Sequence, residues 1–342
     1  MVKFLLFSDF HYGKNHYIRT VDDLDKILRR GADAGVDFVM QCGDFCIDAA
    51  HSPELFKAFL DNKYDQPVYG VVGNHDLEIR DGNTPELLAG LQSNRPIVKP
   101  YPEATYWYTD VKNLRLIGLD TNYSQKPDTL EWEHTKPGTA SCNMSNINLA
   151  FAPPEQMTWL NGVLADAEAR GQKAIIFSHH PFSGCFIFGC TNSDEMHALL
   201  AKYKKTAVMC INGDLHAEFY AGIKDVIYYA ITSSTFFNAK LDENGKPAPV
   251  YPDDVTFEYI DFDASGNEIG RYPRRVNSLV HKSIYYCAEP LSAIVTITDT
   301  GAVFIEGQNA GWLAGLAPQD NRKTLGFPHA PYITDKYFQL DW

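Results

Sequence analysis

Long hydrophobic runs are missing from this sequence. No stretch approaches the roughly 18 apolar residues that a bilayer-spanning helix needs, so no membrane partner is expected. The opening Met1-Val2-Lys3-Phe4-Leu5-Leu6-Phe7-Ser8-Asp9 is apolar over too few residues to read as a secretory signal. Basic excess is missing as well: 30 Lys and Arg stand against 43 Asp and Glu, a net charge of -13. Binding to DNA or RNA rests on a basic footprint, so no nucleic-acid partner is expected. Cysteine is sparse and odd in number, with Cys42, Cys46, Cys142, Cys185, Cys190, Cys210 and Cys287 in no compact framework. That spacing argues against a disulfide scaffold and for reduced thiols in a cytoplasmic protein. Cys42 and Cys46 have no second pair at matching spacing, which excludes a zinc finger. Internal repeats and low-complexity tracts are also absent. What is present, 45% hydrophobic and 21% charged residues over 342 positions, suffices for a packed core.

The apolar stretches that do occur are short, and most stop at chemistry-bearing residues. Lys3 to Ser8 reads as a buried strand followed by Asp9 and His11, which strand alternation would put on one side of the chain. Thr20 caps a helix through about Ala34, with Val21, Leu24, Ile27 and Leu28 on one face. Phe38-Val39-Met40 is a second strand, ending in Gln41-Cys42-Gly43-Asp44, where the glycine permits close backbone approach. Ser52-Pro53-Glu54 opens a second helix. Val68, Tyr69, Val71 and Val72 then form a third strand that stops at Gly73, with Asn74, His75 and Asp76 directly after it. Strand, helix, strand, helix, strand implies a parallel sheet. Thr84-Pro85-Glu86 starts a short helix, and the runs Tyr106 to Val111 and Leu114 to Leu119 form a hairpin.

Residues 120–152 are polar and aperiodic, and a connection of that length reads as an active-site wall. A helix from Pro154 to about Arg170 precedes the strand Ala174 to Phe177, which ends in Ser178-His179-His180-Pro181. The loop 182–190 is an aromatic flap, and Ser193 caps a helix to Tyr203. Ala207 to Ile211 is a strand ending in Asn212-Gly213-Asp214-Leu215-His216. Val226 to Ile231 and Thr256 to Phe262 read as strands of a second sheet, and Ile294 to Thr298 with Val303 to Glu306 as a late hairpin. The composition changes after Gly270, which divides the chain into residues 1–268 and a C-terminal extension, 269–342, acting as cap, packing element or dimer arm.

Five strand ends therefore present Asp9/His11, Asp44, Asn74/His75, His179/His180 and Asp214/His216. Loops at the carboxyl ends of strands are where open α/β sheets bind ligands. A lone histidine is more often structural than a ligand, but five such ends in succession point to a metal site. Carboxylates with imidazoles suit a borderline divalent metal.

The order Asp-x-His, Gly-Asp, Gly-Asn-His-Asp, His-His-Pro and Gly-x-x-His resembles the calcineurin-like metallophosphoesterase family over residues 3 to 262. The resemblance implies an α/β fold, a four-layer α/β/β/α sandwich with two metal ions (manganese, iron or zinc) at its strand ends. It implies one metal held by Asp9, His11, Asp44 and His216. It implies a second held by Asp44, Asn74, His179 and Asp214, with Asp44 bridging. Two cations about 3.5–4 Å apart repel, so an anionic bridge is required. His75 is implied as the group that protonates the leaving oxygen, with Asp76 orienting it and Asn74 and His180 facing the substrate. The family pattern Gly-His-x-His is here Gly213-Asp214-Leu215-His216, which gives the second site harder, oxygen character and favours manganese or iron over zinc. The function expected is hydrolysis of a small phosphodiester. The alternatives are a phosphomonoesterase of the same fold or a non-catalytic interaction protein with a degenerate second site. A small phosphoester is the expected partner, with homo-oligomerisation through the C-terminal extension.

Overall fold

The computed structural model describes residues 1–13, 17–47, 52–77, 106–125, 132–134, 150–182, 189–223, 225–236, 239–318, 323–324, 327–340 and 342. The helix expected at Thr84, most of the wall at 120–152, the aromatic flap, Cys142 and Cys185 lie outside these residues.

Strands β1 (Val2–Phe7), β2 (Phe38–Gln41) and β3 (Val68–Gly70) pair in parallel in chain order. They are linked by helices α1 (Val21–Asp33) and α2 (Pro53–Leu60). Thr20 closes a capping box with Asp23, each side chain accepting from the other's backbone N–H. Ser52 occupies the cap position of α2 without a side-chain cap bond. A second sheet is built from the hairpin β4 (Trp107–Val111) and β5 (Leu114–Gly118), then β6 (Lys173–Ser178), β7 (Ala207–Asn212), and the pair β8 (Phe219–Ile223) and β9 (Val226–Ala230). Here β5, β6, β7 and β9 are parallel neighbours. Helices α3 (Pro154–Ala169) and α4 (Ser193–Lys202) lie between them in sequence. Asn192, not Ser193, holds the cap position of α4; Ser193 Oγ instead donates to the Cys190 carbonyl.

The last strands, β10 (Ala293–Ile297), β11 (Ala302–Glu306) and β12 (Lys336–Gln339), return to the first sheet. Its order is β12-β11-β10-β1-β2-β3, and that of the second is β8-β9-β7-β6-β5-β4, six strands in each. Residues 269–342, set apart in the sequence, thus supply half of one sheet, with β10 antiparallel to β1. Thr256–Phe262 is a strand as expected, but it joins neither large sheet. It pairs with Glu268–Arg275 as a two-stranded ribbon, because its 263–267 turn folds the chain straight back on itself.

Side-chain alternation explains the layers. Phe4 and Leu6 point into the core between the sheets, where Phe4 meets Phe177 of β6 edge to face at 6.1 Å. Leu5 and Phe7 point the other way, beneath Leu24, Ile27 and Leu28 of α1 and Phe56 and Phe59 of α2. On the far side Ile176 and Cys210 pack beneath Leu160 and Leu164 of α3 and Leu200 of α4. The result is helix, sheet, sheet, helix, the expected four-layer sandwich, with both parallel halves ending at the same edge. Burying aliphatic and aromatic side chains on both faces of each sheet is the main stabilising term, at about 25 cal/mol per Å² of apolar area. The described cysteines, Cys42, Cys46, Cys190, Cys210 and Cys287, are buried and form no disulfide among the described residues. Among the described residues no helix is long and apolar enough to cross a membrane.

Candidate metal centre

Six parallel strand ends, three from each sheet, deliver the site. β1 is followed by Asp9 and His11, β2 by Asp44, β3 by Asn74 and His75, β6 by His179, β7 by Asp214 and His216, and β9 by the hydroxyl-rich 232–235 loop. Backbone bonds clip these ends together: Asp9 N–H to the Gly43 carbonyl and His11 N–H to that of Asp44, both 3.0 Å. Gly213 N–H donates to the His179 carbonyl, also at 3.0 Å.

The neighbourhood of Asp9 and His11 differs from the sequence argument in its cause. Both have φ near +50°, as do Asp44 and His216, and Asp214 stands at 65°. Their convergence comes from left-handed backbone beyond the strands rather than from strand alternation. Non-glycine residues hold that conformation only where surrounding structure enforces it, and such strain clusters at functional sites. Glycines provide the clearance. At Gly43, with φ of +93°, a Cβ would stand 2.3 Å from His179 Nδ1; at Gly73 it would stand 2.2 Å from the Asp44 amide nitrogen.

The donor atoms meet around Asp44. Its Oδ2 lies 3.2 Å from His179 Nε2 and 3.9 Å from the Nε2 of both His11 and His75. Its Oδ1 accepts the His75 amide at 2.8 Å. On one side His11 Nε2 and His216 Nε2 approach to 3.1 Å, with Asp9 Oδ1 3.3 Å from His216 and 3.8 Å from His11. On the other side His179 Nε2 lies 3.1 Å from Asn74 Oδ1 and 3.6 Å from Asp214 Oδ1. The donors thus fall into two groups that meet at Asp44.

Two imidazoles have their tautomers fixed by backbone. His179 Nδ1 faces the Cys42 carbonyl at 2.8 Å, and His216 Nδ1 faces that of Thr235. A carbonyl only accepts, so Nδ1 carries a hydrogen in each ring and Nε2, which offers a lone pair once it gives up its own proton, is directed into the cluster. The Asp9 carboxylate accepts from the Asp214 amide through both oxygens, at 3.2 and 3.1 Å. Among the described residues Asp214 Oδ2 is enclosed with no hydrogen-bond partner. Inward lone pairs, three gathered carboxylates and an orphaned carboxylate oxygen are what a pair of oxygen- and nitrogen-liganded cations would satisfy. The residues present fit the metal ions that the motif implies.

The electrostatics carry the same signature. Burial opposes protonation of His179, yet Asp44, Asp9 and Asp214 hold its pKa well above the ordinary value. Burial, then the charges of His216, His75 and His179, pushes His11 well below it. Burial, with Asp44 and Asp9 beside it, pushes Asp214 up to about 7.

Asp76 is corrected by the structure. Its carboxylate does not orient His75: Oδ1 accepts from the amides of Phe45 and Cys46 at 2.9 and 3.0 Å, and Oδ2 from Gly73 at 2.8 Å. It staples the Asp44 loop to the Asn74 loop, and burial followed by Asp44 raises its pKa to about 6. His180 is buried, with Nδ1 2.7 Å from Thr121 Oγ1 and its ring 4.9 Å from that of His179. Asn74 and His75 are half-buried, on the open side of the cluster.

Sequence reasoning passed over Thr121 and the 232–235 loop. Ser233 Oγ donates to the Asp9 carbonyl at 2.9 Å and accepts from the Thr235 amide at 3.0 Å, while the Thr235 carbonyl receives His216. This loop follows a parallel strand, the same signal that marked the other five ends; without a charged side chain it did not register.

A model of the calcineurin-like phosphoesterase family matches residues 2–218. Over 159 residues the chain is 28% identical to a manganese-dependent ADP-ribose/CDP-alcohol diphosphatase of Oryza sativa subsp. japonica, covering 42% of this chain and 50% of the relative. It is 26% identical over 162 residues to a sphingomyelin phosphodiesterase of Bos taurus, covering 44% of this chain and 24% of the relative. The chain thus spans half of the first relative's length and about a quarter of the second's. A dimetal phosphatase structure from Danio rerio superposes with a TM-score of 0.56 at 15% identity, over 89% of this chain and 95% of the other, and shows the same fold.

Proposed function

Because the chain belongs to the calcineurin-like phosphoesterase family, we propose that its strand-end cluster is a two-metal centre hydrolysing a small phosphodiester. The observation that carries this reading is Asp44, whose one carboxylate lies within 4 Å of three imidazoles drawn from both half-sites. Asp9, His11, Asp44 and His216 would hold one ion, and Asp44, Asn74, His179 and Asp214 the other. When bound, such ions supply Lewis-acid charge to phosphoryl oxygens and lower the pKa of water.

The chain's own residues do the rest. His75 is tethered through its amide to Asp44 and stands half-buried at the mouth, where it can donate a proton to the leaving oxygen. Asn74, beside it, aligns the phosphoryl group. His180, tied to Thr121, braces His179 and closes the inner side against water. The relatives' names, a diphosphatase and a phosphodiesterase, favour phosphorus bearing two substituents, and the rice enzyme's name favours manganese. A net charge of -13 favours a small substrate over a nucleic acid.

The test is metal content by elemental analysis, with hydrolysis of bis(p-nitrophenyl) phosphate against p-nitrophenyl phosphate under manganese, iron or zinc. Near two metals per chain and faster diester cleavage are expected. Monoester preference would reassign the protein as a phosphatase. No metal and no turnover with any ion would leave a non-catalytic interaction protein.

A further inference from the structure

One group of donors borrows its support from outside the two sheets. The carbonyl that faces His179 belongs to Cys42, whose amide continues the β1–β2 pairing by donating to the Phe7 carbonyl at 3.0 Å. The carbonyl that faces His216 belongs to Thr235, in a loop beyond the residues 2–218 that the family model matches. Thr232, Ser233, Ser234 and Thr235 are all buried. Ser233 holds this loop from the inside: its Oγ accepts the Thr235 amide at 3.0 Å and donates to the Asp9 carbonyl at 2.9 Å. The C-terminal part of the chain holds it from the outside. Ser234 Oγ accepts Leu291 N–H at 2.7 Å, and its carbonyl accepts Cys287 N–H at 3.0 Å. Thr235 and Phe236 also pair antiparallel with Tyr286 and Tyr285.

We infer that Ser233 is a positioning residue for the ion on the Asp9 side alone, acting through His216 and Asp9. For the ion this rests on the two-metal reading; for the setting of the His216 ring it rests on the hydrogen bonds alone. Three bonds in series join two ligand candidates of one ion: Asp9 carbonyl to Ser233 Oγ, Ser233 Oγ to Thr235 amide, and Thr235 carbonyl to His216 Nδ1. A hydroxyl has one proton and two lone pairs, so a single Oγ serves the acceptor on one side and the donor on the other. Alanine removes both bonds at once. The Thr235 peptide then loses the contact that sets its orientation, and the His216 ring loses a fixed acceptor. Groups that orient metal ligands in this way typically cost 10–100-fold in metal affinity when removed. Among the described residues, the bonds of Ser233 run to Asp9 and Thr235 and none to Asn74, His179 or Asp214. The second ion, whose histidine is set by the sheet itself, should not feel the change.

Manganese binding by calorimetry and elemental analysis would be compared for wild type, Ser233→Ala, Ser233→Cys and Ser234→Ala. Nitrogen-15 spectra of the His216 ring would be recorded on the same full-length proteins, metal-free and at alkaline pH. Ser233→Ala should weaken one ion about 10–100-fold and the other less than about twofold. Added to His216→Ala, which removes that ion's ligand, it should weaken the remaining ion by less than about twofold. The His216 ring, a single Nδ1–H tautomer in wild type, should become a mixture. Ser234→Ala releases Leu291 N–H instead, so it should lower the thermal midpoint yet spare both ions and the tautomer. Ser233→Cys keeps the size with a weaker donor and acceptor. It should move both readouts the same way by less, and it carries the test where alanine does not fold. Equal weakening of both ions, weakening of neither, an unmoved tautomer, or the same losses in Ser234→Ala would overturn the inference. If wild type binds no manganese, the two-metal reading falls and the tautomer alone decides. A mixture in the Ser233 variants then sustains the positioning of His216, and an unchanged ring ends it.

Discussion

Asp44 and His75 are neighbours through one hydrogen bond, yet their substitution should separate binding from turnover. Asp44→Asn removes the charge shared by both half-sites, so both metals and activity should be lost in elemental analysis and assay. His75→Ala should keep the metals and lower kcat by about 10²–10⁴, the usual contribution of a positioned proton donor. Full activity in His75→Ala would eliminate that role. Titration offers a second check on single residues. The Asp214 carboxyl sits near 7, above the ordinary 3.8, so the metal-free fold holds that proton more tightly than the unfolded chain. Its share of stability is therefore lost as pH rises from about 4 to 7. His179, also raised, acts in the same direction: its stabilisation is present at low pH and lost as pH climbs through its folded value. The thermal midpoint of chelator-treated protein should fall between pH 6 and 8, while affinity for manganese rises, because metal and proton compete for the same oxygens and nitrogens. A midpoint rising between pH 7 and 8 in the absence of metal would contradict the raised values of these two groups; the buried His11 and His180, both lowered, act in the opposite sense only below about 6.5.

Elements show what could be read beforehand and what could not. The first three strands, α1 with its Thr20 cap, both hairpins and the five motif-bearing ends were legible, because apolar period, glycine stops and capping residues act locally. Pairing was less so. Thr256–Phe262 has the composition of a sheet strand, and only the tight 263–267 turn decides that it closes on its own neighbour. Asp76 shows the same limit at the site: adjacent numbering suggested His75, but three amide donors from two loops surround the carboxylate. The loops make a prediction of their own. Gly43→Ala combines a left-handed backbone with a Cβ directed into the His179 ring, so His179 must leave the Cys42 carbonyl. Strain of about 1–3 kcal/mol is expected in denaturant unfolding, together with loss of the ion on the Asn74 side; unchanged metal content would show that the loop adapts.

On the scale of the whole molecule, the two sheets are locked at their edges as well as their faces. Lys336 on β12 pairs with Glu218 at 2.7 Å, and Glu218 also accepts from the Tyr229 hydroxyl on β9 at 2.9 Å. Ending the chain after Leu291 removes β10, β11 and β12 and should abolish cooperative unfolding by circular dichroism. A folded, metal-binding product would make those strands dispensable. The pairing of Val2 with Ile297 has a further consequence, for the order of events on the ribosome. The strand that leads to Asp9 and His11 leaves the exit tunnel long before its partner on one side is made. Until then that edge carries unpaired amides and carbonyls on an apolar strand, the geometry that recruits other nascent chains into aggregates. Sheet closure is thus a long-range event, and the speed of translation between the two strands sets how long that edge needs a chaperone's cover.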